Sequence, residues 1–316
     1  MHDGFESLED GVFKGKGLSA LKLSENGRSR LISFFGGVSF LPSSVMKTNR
    51  KDATQDDDKY AHERGYDTTS VLAKKMGKTS YDRNNPIERM MYSSGRGCSA
   101  GALSRFPQDV GRTALLFYSN PGGTVFDPFA GHNSRMDPCV TNGRHYTGCD
   151  LSTNFMDFNF KRADVLRKKY PLAKITLHHC DSRKVPASSE SADFTITSPP
   201  YWDIEYYGDE PEQLGKCKSY EGFLRGLKKV LRENHRVLKP GAYATWFVND
   251  FRRKGRMHFY HADLIRLGEE VGFVAHDILI VDLGRSMRGC FINQAVQQRI
   301  LPKRHEYGII FRKKES

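Results

Sequence analysis

The stretch best equipped for chemistry is Phe194-Thr-Ile-Thr-Ser-Pro-Pro-Tyr201, followed by Trp202-Asp-Ile-Glu-Tyr-Tyr207. Four residues of strand character run into a serine, two prolines and an aromatic ring. Each proline fixes its own φ and pushes the residue before it out of the α region, so Ser198-Pro199-Pro200-Tyr201 reads as a stiff, extended corner at a strand's end. In an open α/β sheet, ligands bind outside the carboxyl ends of the strands. A rigid corner there, presenting a hydroxyl, unpaired carbonyls and a flat ring, suits a planar, amino-bearing base. Upstream, three more strand-like segments each end in an acid: Thr124–Asp127, His145–Cys149 before Asp150, and Ile175–Cys180 before Asp181-Ser182. Asp150 follows Asp127 by 23 residues, close to where an acid takes ribose hydroxyls in nucleotide-binding α/β folds. Three successive acid-terminated strands followed by the proline corner make a poor accident.

Alternating elements must position these residues. Apolar residues recur at helical spacing over Val110–Tyr118, and Pro107 sits where a first helical turn tolerates proline. Asn120-Pro-Gly-Gly123 turns the chain into the strand ending at Asp127, and helices are predicted over about 134–142 and 152–169. Helix Tyr220–Val237 stops at Lys239-Pro-Gly241, before strand Ala242–Val248; helix Ala262–Val271 closes at Gly272. Val274–Val281 and Tyr307–Arg312 complete seven strands. Strands alternating with helices argue an α/β, mostly parallel, doubly wound sheet, with the last two strands as an antiparallel pair. Residues 1–85 read as an N-terminal extension, partly irregular and a candidate DNA-contacting arm; residues 86–316 read as the catalytic domain.

Thr197-Ser198-Pro199-Pro200-Tyr201 resembles the catalytic motif of amino-group DNA methyltransferases, which methylate N4 of cytosine or N6 of adenine. Thr124-Val-Phe-Asp-Pro-Phe-Ala-Gly131 resembles the motif with which those enzymes hold S-adenosylmethionine, and the resemblance covers roughly residues 101–312. It implies a Rossmann-like methyltransferase fold and a set of cofactor contacts. Leu103-Ser-Arg-Phe-Pro107 is similar to the segment that packs on the methionine end, which implies contacts from Ser104 and Phe106. Asp127, Phe129 and Gly131 follow as contacts from the first motif, with the Asp127 carboxylate pairing with the methionine ammonium. Asp150 is implied at the ribose, and Asp181 and Ser182 at the adenine. Where relatives carry Gly-Ser-Gly or Gly-Gly-Ser, this chain has the bulkier Gly131-His-Asn-Ser134.

The same resemblance assigns the corner. Ser198 Oγ and the Pro199 carbonyl accept hydrogen bonds from the target amino group, Pro200 shapes the turn, and Tyr201 stacks on a base flipped out of the duplex. From the residues themselves, Trp202 or Tyr206 could extend that pocket, and Asp203 and Glu205 could orient the base or equally be solvated. Serine in the first place is commoner among N4-cytosine enzymes, so N4 of cytosine is favoured over N6 of adenine. Pro138-Cys139 lies near the helix after the first strand rather than at the corner, so Cys139 is read as structural and not as a carbon-5 nucleophile.

Composition agrees. The net charge of +12 on 316 residues fits a polyanionic partner, DNA, and basic residues cluster in 14–30, 47–50, 252–256 and 285–304. The long excursion over 283–305 carries Arg285, Arg288, Arg299, Lys303 and Arg304 with Asn293, Gln294, Gln297 and Gln298, a candidate DNA-contacting loop. The six scattered cysteines show no C-x-x-C spacing and read as reduced thiols. His178-His179-Cys180-Asp181 and His258-x-x-His261 do not make a metal site, since strand neighbours point apart and no third ligand is near the second pair. No run approaches the ~18 apolar residues of a membrane span, and no secretory signal opens the chain, so a cytoplasmic protein is expected. A second copy of the chain and a cognate restriction nuclease are open as partners. The competing readings are an RNA base N-methyltransferase, a protein amide methyltransferase, and a DNA-binding protein with a vestigial pocket.

Overall fold

The structure, a computed structural model, describes residues 5–7, 12–15, 40–42, 44–47, 106, 108–131, 134–204, 207–283, 292–301 and 303–315. Its first strands, β1 (Phe5–Ser7), β2 (Val12–Gly15) and β3 (Phe40–Pro42), form a small antiparallel sheet. Then come β4 (Val45–Lys47), α1 (Gln108–Tyr118), β5 (Thr124–Asp127), α2 (Met136–Thr141), β6 (His145–Asp150), α3 (Thr153–Lys169), β7 (Ile175–His179) and β8 (Ala192–Thr197). The chain continues through α4 (Tyr220–Val237), β9 (Leu238–Val248), β10 (Phe251–Arg253), β11 (Arg256–His258), α5 (Tyr260–Glu270), β12 (Phe273–Asp282), α6 (Ile292–Gln297) and β13 (His305–Lys313).

The main sheet has eight strands in the order β4-β12-β13-β9-β8-β5-β6-β7. From β5 the chain winds one way through β6 and β7, then returns to β5's other side with β8 and β9, all parallel. The β5/β8 boundary is therefore the topological switch point, the place where α/β sheets of the Rossmann type bind ligands. The last two core strands, β12 and β13, run antiparallel to each other, as the sequence predicts. The eighth strand comes from within the region read as an extension. Val45–Lys47 pairs parallel with Ile280–Asp282, Ile280 N–H donates to the Ser44 carbonyl at 2.7 Å, and Met46 is buried.

Central strands are buried on both faces, as parallel strands between helix layers must be. Successive side chains point to opposite faces. Val125 accordingly joins Val110, Leu115, Met136, Tyr146 and Leu166 under α1–α3. Its neighbour Phe126 joins Phe223, Leu227, Leu231, Trp246 and Leu264 under α4 and α5. α4 starts where the Ser219 side chain accepts from Gly222 N–H at 3.1 Å, capping an orphan donor. Its face of Phe223, Leu227, Val230 and Leu231 is buried, each side chain worth roughly 1.5–3 kcal/mol. Asn234 on that helix donates to Thr195 Oγ1 at 2.6 Å and accepts from Trp246 Nε1 at 3.0 Å, so it clamps β8 and β9 together.

Several boundaries differ from expectation, most by one or two residues and β9 by four. α2 is shorter than 134–142. β9 begins at Leu238 rather than Ala242, because the ladder steps from Ala192↔Leu238 to Phe194↔Tyr243 and the irregularity absorbs Pro240 and Gly241, the latter at φ +76.

Candidate active site

The corner stands where the switch point puts it. β8 ends at Thr197, paired with Trp246 of β9, and Ser198-Pro199-Pro200-Tyr201 leaves the sheet beside the end of β5. Both prolines are buried, whereas Ser198 is half-buried and its hydroxyl takes no hydrogen bond among the described residues. The Pro200 carbonyl is not free: it accepts from Tyr260 Oη at 3.2 Å. Among the corner's other acceptors are the Ser198 hydroxyl and the Pro199 carbonyl. Tyr201 N–H donates to Tyr207 Oη at 3.1 Å, and its half-buried ring meets Phe251 and Tyr260 edge-on, each at 5.8 Å between centroids. Trp202 does not extend the pocket. It is buried, donates from Nε1 to the Cys217 carbonyl at 2.7 Å and packs on Tyr220 and His258, so it anchors the corner from beneath. Asp203, at φ +51, is held by Arg253 at 2.9 Å; Glu205 and Tyr206 lie outside the described residues.

Asp127 departs from the sequence expectation most. Its carboxylate is fully buried and accepts from four donors: Arg135 Nε at 2.7 Å, Tyr146 Oη at 2.9 Å, Thr197 Oγ1 at 2.7 Å and Phe129 N–H at 3.2 Å. A carboxylate so engaged has no face left for a ligand ammonium. It acts as the knot between β5, β6, α2 and β8, and the Thr197 bond ties the acid-bearing loop to the corner. Arg135 fills the space the sequence left to a ligand charge. Its side chain is 5% exposed, Nη2 donates to the Phe129 carbonyl, and the guanidinium lies 5.3 Å from the Phe106 ring centroid. Burial lowers the Arg135 pKa, but Asp127 outweighs it and the guanidinium stays firmly charged. Burial and the same acid push Tyr146 well above the ordinary phenol range. Phe106 is buried, edge-on to Phe247 at 4.8 Å; Ser104 lies outside the described residues.

Asp150 sits as expected at the end of β6. One oxygen accepts from Gly131 N–H at 2.7 Å and the other from Ser152 N–H at 2.9 Å, which cinches the loop after β5 to the next strand. Burial outweighs these bonds and raises its pKa to about 6. Gly131 adopts φ +49, a left-handed conformation that glycine supports without a Cβ penalty, and its carbonyl accepts from Asn159 Nδ2 at 2.8 Å. Next to it, Asn159 Oδ1 and Ser152 Oγ are buried without partners among the described residues, polar atoms open to a ligand or an ordered water. Phe129 is half-buried, edge-on to Trp246 at 6.1 Å. At the end of β7, Asp181 pairs with Arg183 at 2.6 Å while remaining partly exposed. Ser182 is buried and donates to the Pro128 carbonyl, so it braces the loop rather than facing a ligand.

One strand over, at the end of β9, lies a polar group the sequence reading did not assemble. Asp250 Oδ1 is 2.7 Å from His261 Nδ1, His261 stacks on Tyr307 at 4.1 Å, and Asn249 Oδ1 is buried without a partner. Lys303 Nζ is also buried and has no partner among the described residues, and burial pushes its pKa down to about 8. Phe251, Tyr260 and Arg135 escape the sequence reading as well. Phe251 carries one legible signal, an aromatic residue just past a predicted strand end; Tyr260 carries only its place before a predicted helix, and Arg135 its place eight residues after Asp127. Cys139 is fully buried with its thiol pKa pushed far up by burial, as a structural cysteine should be. Among the described residues, no three His, Cys, Asp or Glu side chains gather as a metal site, and no helix is long and apolar enough to cross a membrane. Residues 284–291 of the long excursion lie outside the described residues.

Fold and site together define a Rossmann-like α/β protein with an acid-lined, glycine-bearing loop and a proline corner at its switch point. The family model for DNA methylases of the N6/N4 type matches residues 192–316, which begins at β8 and so contains the corner. Among individual proteins, the orphan methyltransferase M.BamHII of Bacillus amyloliquefaciens is 29% identical over 90 residues, 28% of this chain and 29% of that relative's length. The chain thus matches under a third of that relative. A protein of Thermus thermophilus, described as a DNA modification methylase and solved with S-adenosyl-L-methionine, is 29% identical over 43% of this chain and 52% of its own, with a TM-score of 0.31. An S-adenosylmethionine-dependent methyltransferase of Methanosarcina mazei covers 68% of this chain and all of its own at 15% identity and a TM-score of 0.44.

Proposed function

We propose that this protein transfers a methyl group from S-adenosylmethionine to the exocyclic amino group of a DNA base flipped out of the duplex, N4 of cytosine ahead of N6 of adenine. The observation carrying this reading is the 2.7 Å bond from Thr197 to Asp127, which sets the Ser198–Tyr201 corner against the glycine loop at the switch point. The match to DNA methylases over 192–316 and the basic charge support DNA as the substrate.

The residues present fit an adenosyl cofactor. Gly131 opens the loop for close backbone approach, Asp150 keeps lone pairs for a ribose diol, and the orphaned Asn159 and Ser152 oxygens lie beneath. Asp127 acts at one remove, by holding Arg135 and the Phe129 amide in place. When bound, the cofactor supplies a methyl group made electrophilic by its sulfonium. The exocyclic nitrogen is a poor nucleophile because its lone pair is delocalised into the ring. Ser198 Oγ and the Pro199 carbonyl accept its two N–H bonds, drawing the nitrogen towards tetrahedral geometry and aiming its lone pair out of the ring plane. The gain is positioning and preorganised polarity rather than a covalent intermediate. Tyr201, wedged by Phe251 and Tyr260, supplies the stacking face.

Digesting DNA from cells that express the chain, and measuring its nucleosides by mass spectrometry, tests this. N4-methylcytosine above the background of a Ser198→Ala control is expected. Methylation confined to RNA, or cofactor binding with no methylated nucleoside on any DNA, would overturn the reading.

A further inference from the structure

β10 and β11 form a short antiparallel hairpin directly after β9, on the sheet edge where the corner stands, and it carries Arg252, Arg253, Lys254 and Arg256. One side is docked on the corner. Phe251 meets the Tyr201 ring, Arg253 pairs with Asp203 at 2.9 Å, and His258 packs on Trp202 at 5.5 Å. Of the other cations, Arg252 lies on the opposite face, Arg256 lies beside Arg253 with Glu221 in its field, and Lys254 reaches over the Trp202 ring. Arg252, Lys254 and Arg256 are exposed, and none forms an ion pair among the described residues.

Two features of the hairpin work against its own stability. The register sets Arg253 directly opposite Arg256, and like charges opposed across a ladder repel. Its two-residue turn has Lys254 at φ +50 and Gly255 at φ +75, a geometry that ordinarily selects Asn, Asp or Gly in the first place. A lysine held in that strained region, with its ammonium 5.5 Å from the Trp202 ring centroid, keeps a cation at the tip where turn chemistry would choose otherwise.

Building on the proposed methyl transfer, we infer that this hairpin is the element that grips the DNA backbone beside the target base, with Arg252, Lys254 and Arg256 on phosphates while its docked side braces Tyr201. Contacts of this kind set affinity and register without reading sequence. The coupling through Phe251 and Arg253 makes the grip report to the corner itself.

The test is fluorescence anisotropy of a mixed-sequence DNA duplex titrated with the full chain over a range of potassium chloride. Wild type is compared with Arg252→Gln/Lys254→Gln/Arg256→Gln and with Lys161→Gln/Lys168→Gln/Lys169→Gln, an equal charge loss on the outer face of α3. Each lost phosphate contact removes about 0.9 from the slope of log K against log salt, so the hairpin variant should be shallower by about 2.7 and the α3 variant unchanged. Melting temperature, read on the same proteins, should not fall, because relief of the Arg253–Arg256 repulsion offsets the lost Lys254–Trp202 contact, and S-adenosylhomocysteine affinity should not move. Equal slopes for wild type and the hairpin variant, or a loss seen on an RNA duplex but not on DNA, would overturn the inference. If the nucleoside assay finds methylated DNA while the slopes are equal, the inference alone fails; if it finds none, the proposed function fails first.

Discussion

Asp127→Ala is the perturbation that separates a structural knot from a ligand-binding acid. Removing the carboxylate leaves the Arg135 guanidinium, 5% exposed, without its counter-charge. Breaking a buried pair by deleting one partner costs about 3–5 kcal/mol. The Tyr146 and Thr197 hydroxyls lose their acceptor too, at about 1 kcal/mol each. The sum is about 5–7 kcal/mol, against about 5–15 kcal/mol for a whole domain, so Asp127→Ala should fail to fold or melt near working temperature. Asp127→Asn keeps the shape and one acceptor oxygen for Arg135 and Tyr146, but turns N–H groups towards Phe129 N–H and Thr197; about 2–3 kcal/mol is expected. Asp127→Asn/Arg135→Gln removes both charges, and the two single losses should fall short of additivity by about 2 kcal/mol. Urea unfolding is the assay, followed through Trp202 and Trp246, both buried. An Asp127→Asn protein with the wild-type urea midpoint that no longer binds S-adenosylhomocysteine would refute the argument and restore Asp127 as a direct ligand.

Three further outcomes are expected. Ser198→Ala should lower kcat about a hundredfold with S-adenosylhomocysteine affinity intact, whereas Tyr201→Ala should also lose about 3 kcal/mol of stability because its ring is packed between Phe251 and Tyr260. Asp150, with its pKa raised to about 6, should bind a ribose diol best when ionised, so S-adenosylhomocysteine affinity falls as pH drops below 6; its effect on stability has the opposite sign, present below the unfolded pKa near 4 and lost as pH rises through 6, and calorimetry and urea midpoints of Asp150→Asn should show neither trend. Lys303, pushed down to about 8 by burial, is favoured neutral in the fold, so stability gains from it as pH climbs from 8 towards the unfolded value near 10.4; Lys303→Met should abolish that slope and raise the urea midpoint at pH 7.

The parallel core was legible because its strands are short apolar runs closed by acids or turns: Thr124–Asp127, Ile175–His179 and Phe194–Thr197 emerge within two residues of their reading. The corner was legible because two successive prolines at a strand end leave the backbone few options. What the sequence hid is direction. Asp127 reads as an acid at a sheet edge, and nothing local reveals that Arg135 folds back from the next turn to claim it. Trp202 reads as a neighbour of the pocket, but its indole goes under the corner, bonded to the Cys217 carbonyl and packed on Tyr220 and His258. Tyr260 comes 59 residues after Tyr201 and meets it only through the crossover of α4 and β9. Such contacts depend on topology, which a motif with its spacing does not carry.

The strand at Val45–Lys47 has a practical consequence for anyone trimming the protein. Cutting at residue 85 would strip the cover from β12, baring the backbone groups of Ile280–Asp282 and the Ile278 side chain, already 39% exposed, along an open border. Unpaired borders of that sort recruit strands from other molecules. A shortened version that begins after residue 47 should therefore self-associate, while one that keeps 44–47 joined to the rest should remain dispersed at the same concentration.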